Sequence, residues 1–123
     1  MTNPNVNKNP SDSFQLYDLR VEIVRIEGEA ITDGAQVGDY FLVQGENLIF
    51  PENTRGFSMY NLAAIIPLLP AKQRVTHPND WMTTDSEISS VDANCGVVFS
   101  IIREKLRTFY HSDVSGNSLL TND

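Results

Sequence analysis

One run of residues limits the fold more than any other. Val97, Phe99 and Ile101 alternate with Val98, Ser100 and Ile102, so both faces of the run are largely apolar. A stretch of this length with β-branched and aromatic side chains predicts a strand. Apolar side chains on both faces place it centrally, or under a covering helix. Residues 103–110 either extend the strand or start a helix. The rest of the chain must therefore supply strands for its two edges and a layer for its face.

Those partners are legible upstream. Leu19, Val21, Ile23 and Arg25 share one face of a strand over 19–26, and Asp18, Arg20, Glu22, Val24 and Ile26 share the other. Tyr40–Gln44 and Leu48–Phe50 read as a hairpin with Gly45-Glu46-Asn47 as a three-residue connection. After the loop PENTRG, Ser58 is a plausible N-cap. The helix that follows has Tyr60, Ala63, Ala64 and Pro67 on one stripe and Leu62, Ile65, Ile66 and Leu69 on another. A helix apolar nearly all round is expected to be buried. Pro67 kinks it or begins a tighter exit turn. Residues 71–94 have weak periodicity and read as a long irregular loop, with a turn at His77-Pro78-Asn79-Asp80. The expected architecture is α+β: a small, mostly antiparallel sheet, one buried helix and a long irregular loop. There is no βαβ repeat. With 123 residues, the chain is expected to form one domain over 14–111, with a flexible arm at 1–13 and a flexible tail at 112–123.

Charge and cysteine content narrow the function classes. The net charge is -7, with nine basic residues against sixteen acidic ones. A polyanion meets repulsion, and the best basic run, Arg103, Lys105 and Arg107, is interrupted by Glu104; no nucleic-acid partner is expected. The single cysteine, Cys95, leaves no internal disulfide. The N-terminus carries no signal-peptide pattern, and the apolar run 62–69 is too short to span a bilayer. A cytoplasmic protein without a membrane partner is the expectation.

Chemistry-bearing residues are few. His77, Asp80, Asp85, Asp92 and Cys95 fall in one stretch, but there is no CxxC, no HExxH and no second cysteine. His77 and Cys95 are weak metal candidates, and no tightly bound metal is expected. Cys95 with His77 is also a thiol–imidazole combination on which a nucleophile could be seated, in competition with a small, inert buried thiol. No glycine pattern suggests a nucleotide, so the cofactor is unknown and none is required. The segment Leu68–Arg74 followed by Trp81 and Met82 mixes apolar, aromatic and cationic side chains, as interfaces do. Leu68, Lys72, Arg74, Trp81 and Met82 are the candidate contact residues, with Tyr60 and Phe99 framing a pocket in the alternative reading.

The stretch GFSMYNLAAIIPLLPAKQR, then HPNDWM and DANCG, resembles a family of small, mostly uncharacterised bacterial proteins. Gly38, Asp39 and Phe41 match its glycine-Asp-x-Phe segment, and the likeness covers about residues 16–103. Some members of that family look like small subunits of hydantoinase and acetophenone-carboxylase-type enzymes. The resemblance implies a non-catalytic accessory or assembly subunit whose partners are larger enzyme subunits or copies of itself. It also implies cysteines where this chain has Ser58 and Ser90, so any thiol-rich metal site of the family is degenerate here. The alternative is a small enzyme or small-molecule-binding domain with a pocket around His77, Trp81 and Cys95, together with Tyr60 and Phe99.

Overall fold

The computed structural model describes residues 12–28, 34–52, 56–91 and 93–119. Five strands form one antiparallel sheet in the order β3-β2-β1-β5-β4: β1 (Ser13–Ile26), β2 (Tyr40–Gln44), β3 (Asn47–Ile49), β4 (Glu87–Ser89) and β5 (Val97–Tyr110). Four short helices accompany it: α1 (Met59–Ile65), α2 (Leu69–Lys72), α3 (Trp81–Thr84) and α4 (His111–Val114). The architecture is α+β, as the sequence implies. Among the described residues no helix is long and apolar enough to cross a membrane.

The central strands are longer than periodicity alone suggests. β1 begins at Ser13, six residues before its clear alternation, because a register shift separates Tyr17 from Leu19. Leu16 and Leu19 are three positions apart and would lie on opposite faces of a regular strand. At this shift Glu104 and Lys105 of β5 face the single residue Asp18, so the extra residue belongs to β5; Leu16 and Leu19 are both buried, but only Leu19 joins the core cluster. Asp18, the residue at the bulge, is buried too, and both its carboxylate oxygens lie 2.8 Å from Arg107 Nε. A second shift between Ile23 and Arg25 explains why Arg25 is exposed rather than on the face of Val21 and Ile23. β5 continues to Tyr110, paired with β1 along its whole length, so residues 103–110 extend the strand.

The hairpin turn is tighter than expected. Asn47 pairs with Gln44, which leaves Gly45-Glu46 as a two-residue turn. Gly45 has φ +60 and no other residue type adopts positive φ in the described chain, as a type II′ turn requires at its first central position. At the other end of the sheet, the turn before β5 presses on the end of β1. Glu27 N–H donates to Gly96 O (2.8 Å) and Gly28 N–H to Cys95 O (3.1 Å). A Cβ on Gly28 would lie 2.0 Å from Asn94 O, so the two backbones meet only because position 28 has no side chain.

The core lies between one face of the sheet and the helical segment. Leu19, Val21, Ile23, Phe41, Val43, Val97, Phe99 and Ile101 from the sheet meet Ile65 and Leu69 from the helices, with Cys95 at the edge. Phe57 joins the layers, its ring 5.1 Å from Phe41 in an edge-to-face contact and 6.2 Å from Phe99. Val98 and Ser100 are buried on the opposite face of β5, in accord with its apolar character on both sides.

The helix departs from expectation. Ser58 caps α1 by accepting from Asn61 N–H (3.0 Å). Beyond α1 the chain tightens into a 3-10 turn over Ile66–Leu68, because Pro67 lacks the N–H that a longer α-helix would use. The helix is not buried all round. Asn61 and Ile65 face inward, whereas Met59 is 77% and Tyr60 68% exposed. One chain offers a single sheet face, and that face covers only one stripe of a short helix. The region expected as a long irregular loop also holds α3 and the edge strand β4. Of the terminal segments expected to be flexible, 1–11 and 120–123 lie outside the described residues, as does Asp92; Ser13 belongs to β1 and Ser112 to α4.

Candidate functional site

The most unusual side chain in the described chain is Lys72. It ends the helical segment one turn after Leu69, and Ile65, Leu69 and Lys72 follow one another at helical spacing on the inward stripe. The lysine is therefore carried into the protein, with 3% of its surface exposed. Its Nζ donates to the backbone carbonyls of Met82 (2.7 Å) and Asp85. Those carbonyls belong to α3 and the residue after it, so the ammonium holds this short helix against α2. Asp80 fixes the other end of α3 by accepting from Met82 N–H (2.9 Å).

A second cation lies beside it. Arg103, on β5, donates through Nε to Lys72 O (2.7 Å) and through Nη2 to Arg74 O (2.7 Å) and Thr76 Oγ1 (3.0 Å). Its guanidinium also lies over the Tyr17 ring, 5.0 Å from the centroid. Among the described residues no carboxylate lies within ion-pair distance of Lys72. Burial pushes the lysine below its ordinary pKa, and the positive charge of Arg103 acts in the same direction; Asp85 and Asp80 oppose it from farther away. A cavity of about 120 Å³ opens here, lined by Lys72 and Arg103, the hydroxyl residues Thr83, Thr84 and Ser86, and Asp85, against a wall of Ile101 and Ile102.

The residues singled out from sequence are divided among different environments. Lys72 and Met82 come together through the Nζ–carbonyl bond, and Met82 is buried. Trp81, its neighbour, is 52% exposed. Arg74 is exposed and its Nη1 donates to Pro70 O (2.8 Å). It lines a separate cavity of about 250 Å³ between the β2–β3 hairpin and α2, with Val43, Leu48, Ile66 and Glu46. Leu68 is half-buried, Tyr60 is exposed on α1, and Phe99 is fully buried in the core.

His77 and Cys95 lie in different surroundings. His77 is exposed, and its Nδ1 accepts from Asn79 N–H (3.0 Å) within the expected turn. Cys95 packs into the hydrophobic cluster. Among the described residues, Cys95 and Phe99 are buried in the packed core, whereas His77 and Trp81 are exposed. Among those residues no three His, Cys, Asp or Glu side chains are grouped as a metal ion would need. A third cavity, about 370 Å³ and polar, lies between Asp12, His111 and residues 112–119.

Sequence reasoning named Lys72 and missed its companions. It read Arg103 only as part of an interrupted basic run and passed over Thr76 and Ser86. The usable signal was the spacing 65, 69, 72, which sets a charged residue on an apolar stripe. The partners across the sheet carry no such local mark. Comparison with protein-family models, curated proteins and solved structures finds no match to this chain.

Proposed function

We propose that this chain is a non-catalytic assembly domain that pairs with a second copy of itself through the outward face of its helical segment. The observation that carries the reading is that residues 56–71 hold no charged side chain, although one side of the segment faces solvent. Met59, Tyr60, Ala63, Ile66, Pro67 and Pro70 are exposed along it. A surface helix ordinarily carries a polar face; an outward face this apolar fits a surface that another protein covers.

The charge distribution favours a second copy as the occupant. At a net charge of -7, two copies repel one another over most of their surface. The uncharged helical face is where they can approach without desolvating acidic groups, and a two-fold axis through it would place each patch on its equivalent. The accessory-subunit expectation rests on the sequence likeness, and in that case larger subunits would take the same face.

Light scattering with size-exclusion chromatography tests the proposal. The wild-type chain is expected to run as a dimer. The double variant M59E/Y60D is expected to run as a folded monomer that still unfolds cooperatively on heating. A monomeric wild type at its highest soluble concentration overturns the proposal, as does a dimer indifferent to the double substitution. Native mass spectrometry of protein purified from its own cells separates the two occupants. A stoichiometric complex with larger chains and without a second copy overturns self-pairing.

A further inference from the structure

We infer that the cavity beside Lys72 is a binding site for a small free oxyanion, a short carboxylate or inorganic phosphate. This is independent of the assembly surface, which lies on the outward side of the helical segment.

The argument begins with an electrostatic deficit. A buried ammonium is costly unless it is paired or fully hydrogen-bonded. Lys72 carries three N–H donors, and the structure gives partners to two, both neutral carbonyls. Beside it, the Nε and Nη2 of Arg103 are engaged, while its Nη1 has no partner among the described residues. Ser86, in the same lining, has a hydroxyl with no hydrogen-bond partner among those residues. Donors without a partner among the described residues thus gather at one spot, on two cationic side chains and one hydroxyl.

The space fits the charge. A cavity of about 120 Å³ has room for a small oxyanion such as acetate or phosphate. Asp85 is the one acid in the lining, and its Oδ1 already accepts from Thr84 Oγ1 (2.7 Å). With Lys72 and Arg103 opposite it, the cavity keeps a net positive charge in a strongly acidic molecule. The apolar wall of Ile101 and Ile102 strengthens hydrogen bonds made against it. An oxyanion would accept from Lys72 Nζ, Arg103 Nη1 and Ser86 Oγ together, and would give Lys72 the direct ion pair that it lacks among the described residues.

The test is a ¹H–¹⁵N NMR titration of the full chain with sodium acetate and, separately, sodium phosphate, with sodium chloride at matched ionic strength as reference. The expected result is a saturable shift confined to residues 72, 83–86 and 101–103 with at least one of the two oxyanions; which one saturates distinguishes a planar carboxylate from a tetrahedral phosphate. Lys72→Met is expected to weaken binding roughly tenfold or more, the scale of a lost hydrogen bond to a charged group. Lys72→Met also removes two buried hydrogen bonds that hold α3, so Ser86→Ala serves as the second arm; it removes one hydroxyl and is expected to weaken binding several-fold with an unchanged spectrum elsewhere. Shifts that follow chloride without saturating overturn the site. Saturation at other residues, or affinity unchanged in a folded S86A chain, overturns it equally.

Discussion

Two buried regions of this molecule lie against the same strand, and they are buried by opposite means. Around Phe99, β5 packs against Phe41, Phe57 and Ile65, all apolar and drawn together by the removal of hydrocarbon from water. A few residues along the same strand, Arg103 joins Lys72 in a region held by charged donors on backbone carbonyls. The first region gains stability from every methylene it contains. The second spends some of it to place two cations beside a cavity. Stabilising and binding work are therefore assigned to neighbouring stretches of one strand.

The largest expected effect tests the apolar end. Phe99 is fully buried and touches both layers. Phe99→Ala is expected to cost about 3–5 kcal/mol, the usual range for emptying an aromatic site in a packed core. Denaturant unfolding measures it. A loss below about 1 kcal/mol would mean that the two layers are not in close contact at this position, and the contrast with the Lys72 end would lapse.

The same contrast governs what could be read in advance. The apolar end was legible because hydrophobic patterning acts locally: the alternation at 97–102, the hairpin and the capped helix are visible within a few residues of themselves. Bulges are not visible in this way. The first six residues of β1 were missed because Leu16 and Leu19 are both buried although they are out of phase in a regular strand, and the register shift opposite Asp18 shows only in the pairing with β5. The polar end was legible only in part. Lys72 was singled out only as a cation in a mixed apolar and aromatic segment, not for its place on the inward stripe, and Arg103, Thr76 and Ser86 reach its neighbourhood through the folded chain from distant positions. The helix was misjudged for a related reason. Sequence shows that a helix is apolar on both sides; it does not show whether one chain supplies enough surface to cover both.

The next prediction concerns the polar end and follows from the lysine's depressed pKa. Burial and the neighbouring guanidinium hold Lys72 below its ordinary value in the folded protein. Between the folded and unfolded pKa values, the unfolded chain binds more protons, so stability attributable to this group rises with pH across that window. Below the folded pKa, the cost of burying the charge is present in full. Lys72→Met lacks the group. The stability of wild type relative to K72M is therefore expected to increase as pH is raised from neutral toward the ordinary lysine range. Paired denaturant titrations at several pH values read the difference. A difference that is flat or falls with pH would show that Lys72 is as well hydrated as a surface lysine, and would remove the electrostatic contrast between the two regions.

The smallest effect on the fold is expected on the helix, where adjacent residues sample both environments. Ala64 packs against the core cluster, and Ala63 beside it is exposed. Glutamate has nearly the helix propensity of alanine, so propensity alone predicts little change at either site. Ala64→Glu pushes a carboxylate toward the apolar layer and is expected to destabilise by roughly 1–3 kcal/mol, by overpacking and by desolvating a charge. Ala63→Glu is expected to stay within about 0.5 kcal/mol, as surface substitutions do. If Ala63 also lies in a contact between copies, its charge should lower the dimer fraction while the melting temperature measured on monomer stays the same. Equal destabilisation at the two positions would mean that this chain covers both sides of the helix by itself, and the exposed apolar stripe would then no longer argue for a partner.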